Sequence, residues 1–236
     1  MVPSAGWQDA GVAVLRAVLF DWRGTLVVTM TDCQWVEQAF RRLGRDASAG
    51  DVERVAGALQ GAAADPGLRS VWERIDCDAS FHRDSYRRLF AVAGLDPGLA
   101  AALYEVESDP GHNPFAVDVA VTLQTLKRRE VKVGVVSDIH FDLRPVFRQH
   151  GLASFVDAFV LSYERGVQKP DPAIFAAALD ELGVAPGEAL MVGDRASHDG
   201  AAVTVGISTL LLPPLAHVSD ERLELVLKLT DGKDGC

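Results

Sequence analysis

The sequence predicts an α/β fold, a doubly wound parallel sheet interrupted after its first strand by an all-helical insert. Three observations carry this. Residues 12–20 are almost continuously apolar, broken only by Arg16, which is how a strand covered on both faces reads. Residues 34–107 hold helical segments separated by breakers, with no strand among them. From residue 114 onward, short apolar runs alternate with helix-length segments, and this alternation implies parallel strands with helices on both faces.

In chain order, the first strand ends at Asp21. The helical region contains Trp35-Val36-Glu37-Gln38-Ala39-Phe40 and Tyr86-Arg87-Arg88-Leu89-Phe90, punctuated at Gly44, Asp65-Pro66-Gly67 and Asp96-Pro97-Gly98. Asn113 is expected to cap, and Pro114 to open, a helix running to about residue 129. Residues 131–136 form a strand ending at Ser137-Asp138. Residues 143–150 form a helix stopped by Gly151, and 158–161 a short strand. Residues 171–182 form a helix stopped by Gly183, and 189–192 a strand ending at Gly193-Asp194. Residues 199–205 are helical, and 207–212 form the last strand before Pro213-Pro214. The expected division is 12–27 and 112–230 for the α/β core and 28–111 for the helical insert, with 1–11 and 231–236 as terminal tails. Gly24 and the Asn113-Pro114 junction are candidate hinges.

With 236 residues and 48% hydrophobic side chains, the chain can bury a sizeable core. A net charge of −10 argues against nucleic-acid partners and anionic membrane surfaces. It does not exclude an anionic substrate in a locally basic pocket. Cys33, Cys77 and Cys236 are scattered and form no CxxC pair, so neither a disulfide framework nor a structural zinc site is expected. No leader pattern and no apolar run of about 18 residues is present. The expectation is a cytoplasmic monomer or homodimer.

Ligands of open parallel sheets bind beyond the carboxyl ends of the strands. Four polar clusters fall there: Asp21, Ser137-Asp138, Lys169, and Asp194 with Asp199. An Asp after a strand is ordinarily a turn residue; four such clusters together point to a site. A carboxylate can attack phosphorus, and phosphoryl transfer needs cations and hydrogen-bond donors around the equatorial oxygens. Asp21, Asp194 and Asp199 are hard oxygen ligands suited to Mg²⁺ rather than zinc.

These clusters resemble motifs I to IV of the haloacid-dehalogenase superfamily, in its order and spacing. The resemblance spans about residues 17–212 through Asp21-Trp22-Arg23-Gly24-Thr25, Val136-Ser137-Asp138, Lys169-Pro170-Asp171-Pro172 and Val192-Gly193-Asp194-Arg195 to Asp199. It implies a Rossmann-like core and a type 1 helical cap. It further implies that Asp21 is the nucleophile and that Thr25 supports its loop. Ser137 and Lys169 would hold phosphoryl oxygens. Mg²⁺ would be bound by Asp21, Asp194, Asp199 and the carbonyl of Arg23. Arg23, Gly24 and Asp138 are expected against the substrate, a small phosphorylated metabolite.

The sequence departs from the family's phosphatases at position 23, where they carry a second Asp as general acid and base. Arg23 cannot act so, because a guanidinium stays protonated. His140 and His112 are candidates by residue type alone. A phosphonoacetaldehyde-hydrolase-like enzyme would need a cap lysine, but the first lysine is Lys127. A 2-haloacid dehalogenase would be poorly served by the extra carboxylate at motif IV. A non-catalytic binding or regulatory protein keeping the fold is the alternative from another class. Arginines 41, 42, 45, 54, 69, 74, 83, 87 and 88 of the insert could meet an anion, although charged side chains mostly stay solvated. Trp35, Trp72 and Phe81 could line a pocket or belong to the insert's core.

Overall fold

A computed structural model describes residues 14–231. The expected tail at 1–11, all but the first residue of the expected tail at 231–236, the first residues of the 12–20 run, and Cys236 lie outside the described residues. Five strands, β1 (Ala17–Phe20), β2 (Lys132–Ser137), β3 (Ala158–Leu161), β4 (Ala189–Gly193) and β5 (Ser208–Leu211), form one sheet in the order β3-β2-β1-β4-β5. All four pairings are parallel, and Phe20 at the end of β1 is level with Val135 and Val192. The chain steps outward from β1 through β2 to β3, then returns to β4 on the other side. β1 and β4 therefore flank the topological switch point, where such sheets bind ligands.

β1 shows why its sequence reads as continuously apolar. Val18 and Phe20 pack on one face with Val119, Leu123 and Leu126 of α6 (Val119–Arg128) and Phe147 of α7 (Arg144–Gln149). Ala17 and Leu19 pack on the other with Ile174, Phe175 and Ala178 of α9 (Pro172–Leu182). All four strand residues are fully buried, so neither face needs a polar residue. The strand is shorter than the apolar run: residues 14–16 fall outside it, and the Arg16 side chain is exposed.

Between β1 and β2 lie α1 (Asp32–Arg42), α2 (Ala49–Ala63), α3 (Arg69–Trp72), α4 (Ala79–Val92) and α5 (Pro97–Glu107). Their starts are written locally. Thr31 with Gln34, and Ser48 with Asp51, form capping boxes, while Asp78 and Asp96 accept hydrogen bonds from the first-turn amides of α4 and α5. Val36, Val55, Leu59, Leu89, Phe90 and Leu103 form a core separate from the two beside the sheet. The insert thus carries its own buried apolar volume.

One expectation is corrected. Asn113 does not cap a helix, and Pro114 does not open one: α6 starts five residues later, at Val119. The Asn113 side-chain Nδ2 instead donates to the Val28 carbonyl at 3.0 Å, and the Val28 backbone amide donates to the Pro114 carbonyl at 3.0 Å. Val27 and Phe115 form an antiparallel bridge. The two chain segments joining insert and core therefore run side by side, and their mutual hydrogen bonds displace the helix start. Residues 199–205 are helical as expected, as a 3₁₀ helix. The short helices α8 (Ser162–Arg165) and α10 (Glu224–Leu229) are additional. No helix of the described residues is long and apolar enough to cross a membrane.

Candidate active site

The carboxyl ends of β1, β2 and β4 open into a cavity of about 390 Å³ lined by Asp21, Arg23, Gly24, Ser137, Asp138, Asp194 and Arg195, with Thr29, Pro214, Leu215 and, from the insert, Asp76. Beneath it lies Lys169, fully buried. Its Nζ donates to Asp21 Oδ1 and Asp199 Oδ1, both at 2.6 Å, and to the Val136 carbonyl at 3.2 Å. Burial opposes the ammonium charge, but Asp21, Asp138 and Asp199 outweigh it and raise the lysine pKa. Lys169 is a fixed cation.

Asp21 follows β1 directly and is 4% exposed. Burial, opposed by Lys169 and reinforced by Asp199, lifts its carboxyl to about 6. With Oδ1 held by Lys169, the freer oxygen is Oδ2, whose contact with the Thr25 hydroxyl is 3.5 Å. Asp199 is fixed on both sides: Oδ1 accepts from Lys169, and Oδ2 accepts from the Asp194 and Arg195 amides at 3.1 and 2.9 Å. Asp138 lines the cavity, yet its oxygens accept from the Lys169 amide and the Arg195 guanidinium, each at 2.8 Å. It braces the loops rather than offering a free substrate ligand.

Two glycines bring the carboxylates together. Gly24 has φ +78°, and a Cβ there would stand 2.5 Å from Asp194 Oδ2. A Cβ at Gly193 would stand 2.2 Å from Asp199 Cγ. Only glycine permits these approaches. One ligating oxygen from each of Asp21, Asp194 and Asp199 lies within 4.8 Å of the others. Asp194 Oδ1 is buried with no hydrogen-bond partner, and its carboxyl is raised by burial and by Asp199. Anionic oxygens crowded this closely, one of them unpartnered, suit a hard divalent cation.

Arg23, expected against the substrate, is turned to the insert. Its Nη1 is 2.5 Å from Glu107 Oε1, and its Nη2 donates to the Glu107 carbonyl at 2.9 Å. The guanidinium carbon also lies 5.6 and 5.9 Å from the Trp22 and Phe141 ring centres, within cation–π range. Burial lowers its pKa, but Glu107 more than restores it. His112 sits 3.8 Å from Asp109 outside the cavity. His140 is 5% exposed and stacks on His82. All nine arginines named in the insert are exposed. The Trp35 and Trp72 indoles donate to the Leu103 and Ala63 carbonyls at 2.8 and 3.1 Å, and Phe81 is exposed. None of these three lines the cavity.

Sequence reasoning passed over four participants. Arg195 adjoins Asp194 and could have been noticed by adjacency. Gln168 adjoins Lys169; its Oε1 accepts from the Asp76 amide at 2.9 Å and its Nε2 donates to the Trp72 carbonyl at 3.3 Å. Asp76 and Glu107 lie in the insert, and nothing in their local sequence marks them.

Comparison with known proteins places this geometry. The chain is 32% identical over 137 residues to the glyceraldehyde 3-phosphate phosphatase of Methanopyrus kandleri, which covers 56% of this chain and 58% of that protein. It spans about half the length of the curated relatives it matches. The crystal structure of a haloacid-dehalogenase phosphatase from Thermococcus onnurineus matches 92% of this chain and 99% of its own, with a TM-score of 0.60 at 25% identity. A 2-haloacid dehalogenase from Pseudomonas syringae matches 84% and 86%, with a TM-score of 0.57 at 25% identity. The family model for haloacid dehalogenase-like hydrolases matches residues 15–204, from just before β1 into the turn that holds Asp199, and the chain belongs to that family.

Proposed function

We propose that the protein is a Mg²⁺-dependent phosphatase that acts on a small phosphorylated metabolite through an aspartyl-phosphate at Asp21. The observation that carries this is the Asp194 carboxylate, which lies within reach of Asp21 and Asp199 and has a buried, unpartnered Oδ1. Asp21, Asp194 and the Arg23 carbonyl would hold the ion, and Asp199, whose oxygens already accept hydrogen bonds, would orient the ligands around it. When bound, Mg²⁺ supplies charge that offsets the repulsion between the Asp21 carboxylate and a phosphate.

The chain's own groups do the rest. Lys169 holds Asp21 Oδ1, which leaves Oδ2 to attack phosphorus. A carboxyl with a pKa near 6 is mostly ionised at pH 7 and therefore competent as the nucleophile. Ser137 and Arg195 line the cavity, and their hydroxyl and guanidinium would supply a donor and a charge for phosphoryl oxygens. A cavity of about 390 Å³ suits a small molecule. A 2-haloacid would bring its carboxylate against Asp194, Asp138 and Asp76, which favours the phosphoryl reading over dehalogenation.

The test is Mg²⁺-dependent release of p-nitrophenol from p-nitrophenyl phosphate. Asp21→Asn should lower it by about 10³-fold or more, since an amide is a far weaker nucleophile. Removal of the ion with EDTA should abolish turnover, and added Mg²⁺ should restore it. Intact Mg²⁺ binding without hydrolysis of any member of a broad phosphate-ester panel would sink the proposal and favour a binding role.

A further inference from the structure

The family's phosphatases take their acid and base from position 23, and here that position holds Arg23, ion-paired to Glu107. The same cavity receives a carboxylate from the insert. Asp76 lies in the 3₁₀ turn Ile75–Cys77 of the insert and lines the cavity with Asp21. Its position is fixed from the core side. The Asp76 amide donates to Gln168 Oε1 at 2.9 Å. The Asp76 carbonyl accepts from Ser162 Oγ at 2.7 Å, and that hydroxyl also accepts from the Ile139 amide at 2.9 Å. Gln168 immediately precedes the lysine that holds Asp21, so one short loop registers both carboxylates.

Behind Asp76 stand two buried histidines. Asp76 Oδ1 is 3.8 Å from His140 Nδ1 and 3.8 Å from His82 Nε2. His140 Nδ1 is buried and otherwise unpartnered, while its Nε2 meets Ser108 Oγ at 3.0 Å. The three residues could be read as a metal site, but their geometry opposes this. The two imidazoles stack with centres 3.4 Å apart and planes 11° apart. An ion in the plane of one ring would lie well out of the plane of the other, and imidazole nitrogens bind metals in the ring plane. A proton suits the cluster better. Hydrogen bonds of acid–base pairs are often long before substrate binds.

We propose that Asp76, backed by His140, is the general acid and base of this enzyme, supplied by the insert in place of the second motif I carboxylate. This rests on the phosphatase reading above. In the first half-reaction an Asp21 oxygen bonds to phosphorus and the bond from phosphorus to the leaving oxygen breaks. That oxygen takes the proton shared by Asp76 and His140. In the second, a water oxygen bonds to phosphorus and its proton passes to the Asp76 carboxylate. The phosphorus–Asp21 bond then breaks. The pair ends as protonated as it began, and one water is consumed per phosphate released. His140 is a positioning residue that stands behind the Asp76 carboxylate, while Asp76 faces the substrate.

The test compares Asp76→Asn with wild type on p-nitrophenyl phosphate, whose leaving group needs no proton, and ethyl phosphate, whose leaving group does. General acid–base catalysis is worth roughly 10²- to 10⁴-fold. Turnover of ethyl phosphate should therefore fall about 100-fold or more. Release of p-nitrophenol should become biphasic, with a burst of about one equivalent per enzyme as the aspartyl-phosphate accumulates. The pH profile of turnover by His140→Gln should be shifted from that of wild type. Equal losses on both substrates with no burst would overturn the proposal. Should the variant fail to fold, wild type still decides: rates that fall steeply with leaving-group pKa would mean no acid is supplied, and would overturn it too. Absence of all wild-type turnover fails the phosphatase reading itself. Turnover with Asp76→Asn at wild-type rates fails only this assignment.

Discussion

Arg23 shows how much a single side chain's meaning depends on what it meets. By residue type it could be a lost catalytic acid or a substrate ligand, and sequence offers no way to choose. The partner is Glu107, 84 residues away, at the end of a helix whose sequence is unremarkable. Both side chains are largely buried, at 25% and 15% exposure, so truncating one leaves the other charge poorly solvated. Arg23→Ala should cost about 1–3 kcal/mol of unfolding free energy. The double variant with Glu107→Ala should cost less than the sum of the single changes. Urea denaturation of the four proteins measures this, and strict additivity would rule out the pair as a stabilising contact. An Asp at position 23 would confront Glu107 rather than an open pocket, so Arg23→Asp alone should not recover an acid.

At the scale of elements, the site is a property of strand ends. β1, β2 and β4 end within two residues of one another in the register of the sheet, and each is followed at once by a polar residue. That much was legible from the alternation of apolar runs with Asp21, Ser137-Asp138 and Gly193-Asp194. The loop that carries Gly24 was less so, since a glycine in sequence is merely permissive. In the fold it has positive φ and lies against Asp194. Gly24→Ala should displace Asp194 and strain the turn, costing about 1–2 kcal/mol. It should also raise the Mg²⁺ concentration needed for half-maximal activity by about tenfold. A metal titration alongside a urea melt separates the two effects, and an unchanged titration would show that Asp194 does not depend on that contact. The misjudged start of α6 has the same origin. Asn113 and Pro114 carry good local capping chemistry, but the hydrogen bonds between the two connecting segments take those groups instead.

For the whole molecule, the junction of insert and core holds a titratable cluster that should govern acid stability. Burial, with the neighbouring His140 charge, depresses His82 to about 3 from its ordinary 6.5, against the opposing pull of Asp76. The folded protein therefore holds His82 neutral, whereas the unfolded chain takes up its proton near pH 6.5. Stability is fully present above that pH and declines as the pH falls toward 3. At pH 5 the loss is about 2 kcal/mol, at roughly 1.4 kcal/mol per pH unit. Asp76 adds to the same trend. Burial would raise its carboxyl, but His140 and Arg23 hold it below the usual range, and its contribution is lost as the pH falls through that lowered value. Urea midpoints at pH 7.5 and 5.0 should differ accordingly. His82→Gln should flatten the dependence, and a wild-type midpoint unchanged between the two pH values would refute it.

By itself, the sequence determined the doubly wound parallel sheet, the helical insert after its first strand and the four strand-end clusters, because burial on two faces and turn chemistry are written in consecutive residues. It also marked position 23 as unusual. The tertiary structure alone decided what stands opposite Arg23, what braces Asp138, why Gly24 is needed and which carboxylate of the insert enters the cavity. Those are contacts between residues tens of positions apart. Local periodicity carries no record of them, since Asp76 and Glu107 acquire their surroundings only when the insert's own core packs and docks beside Lys169.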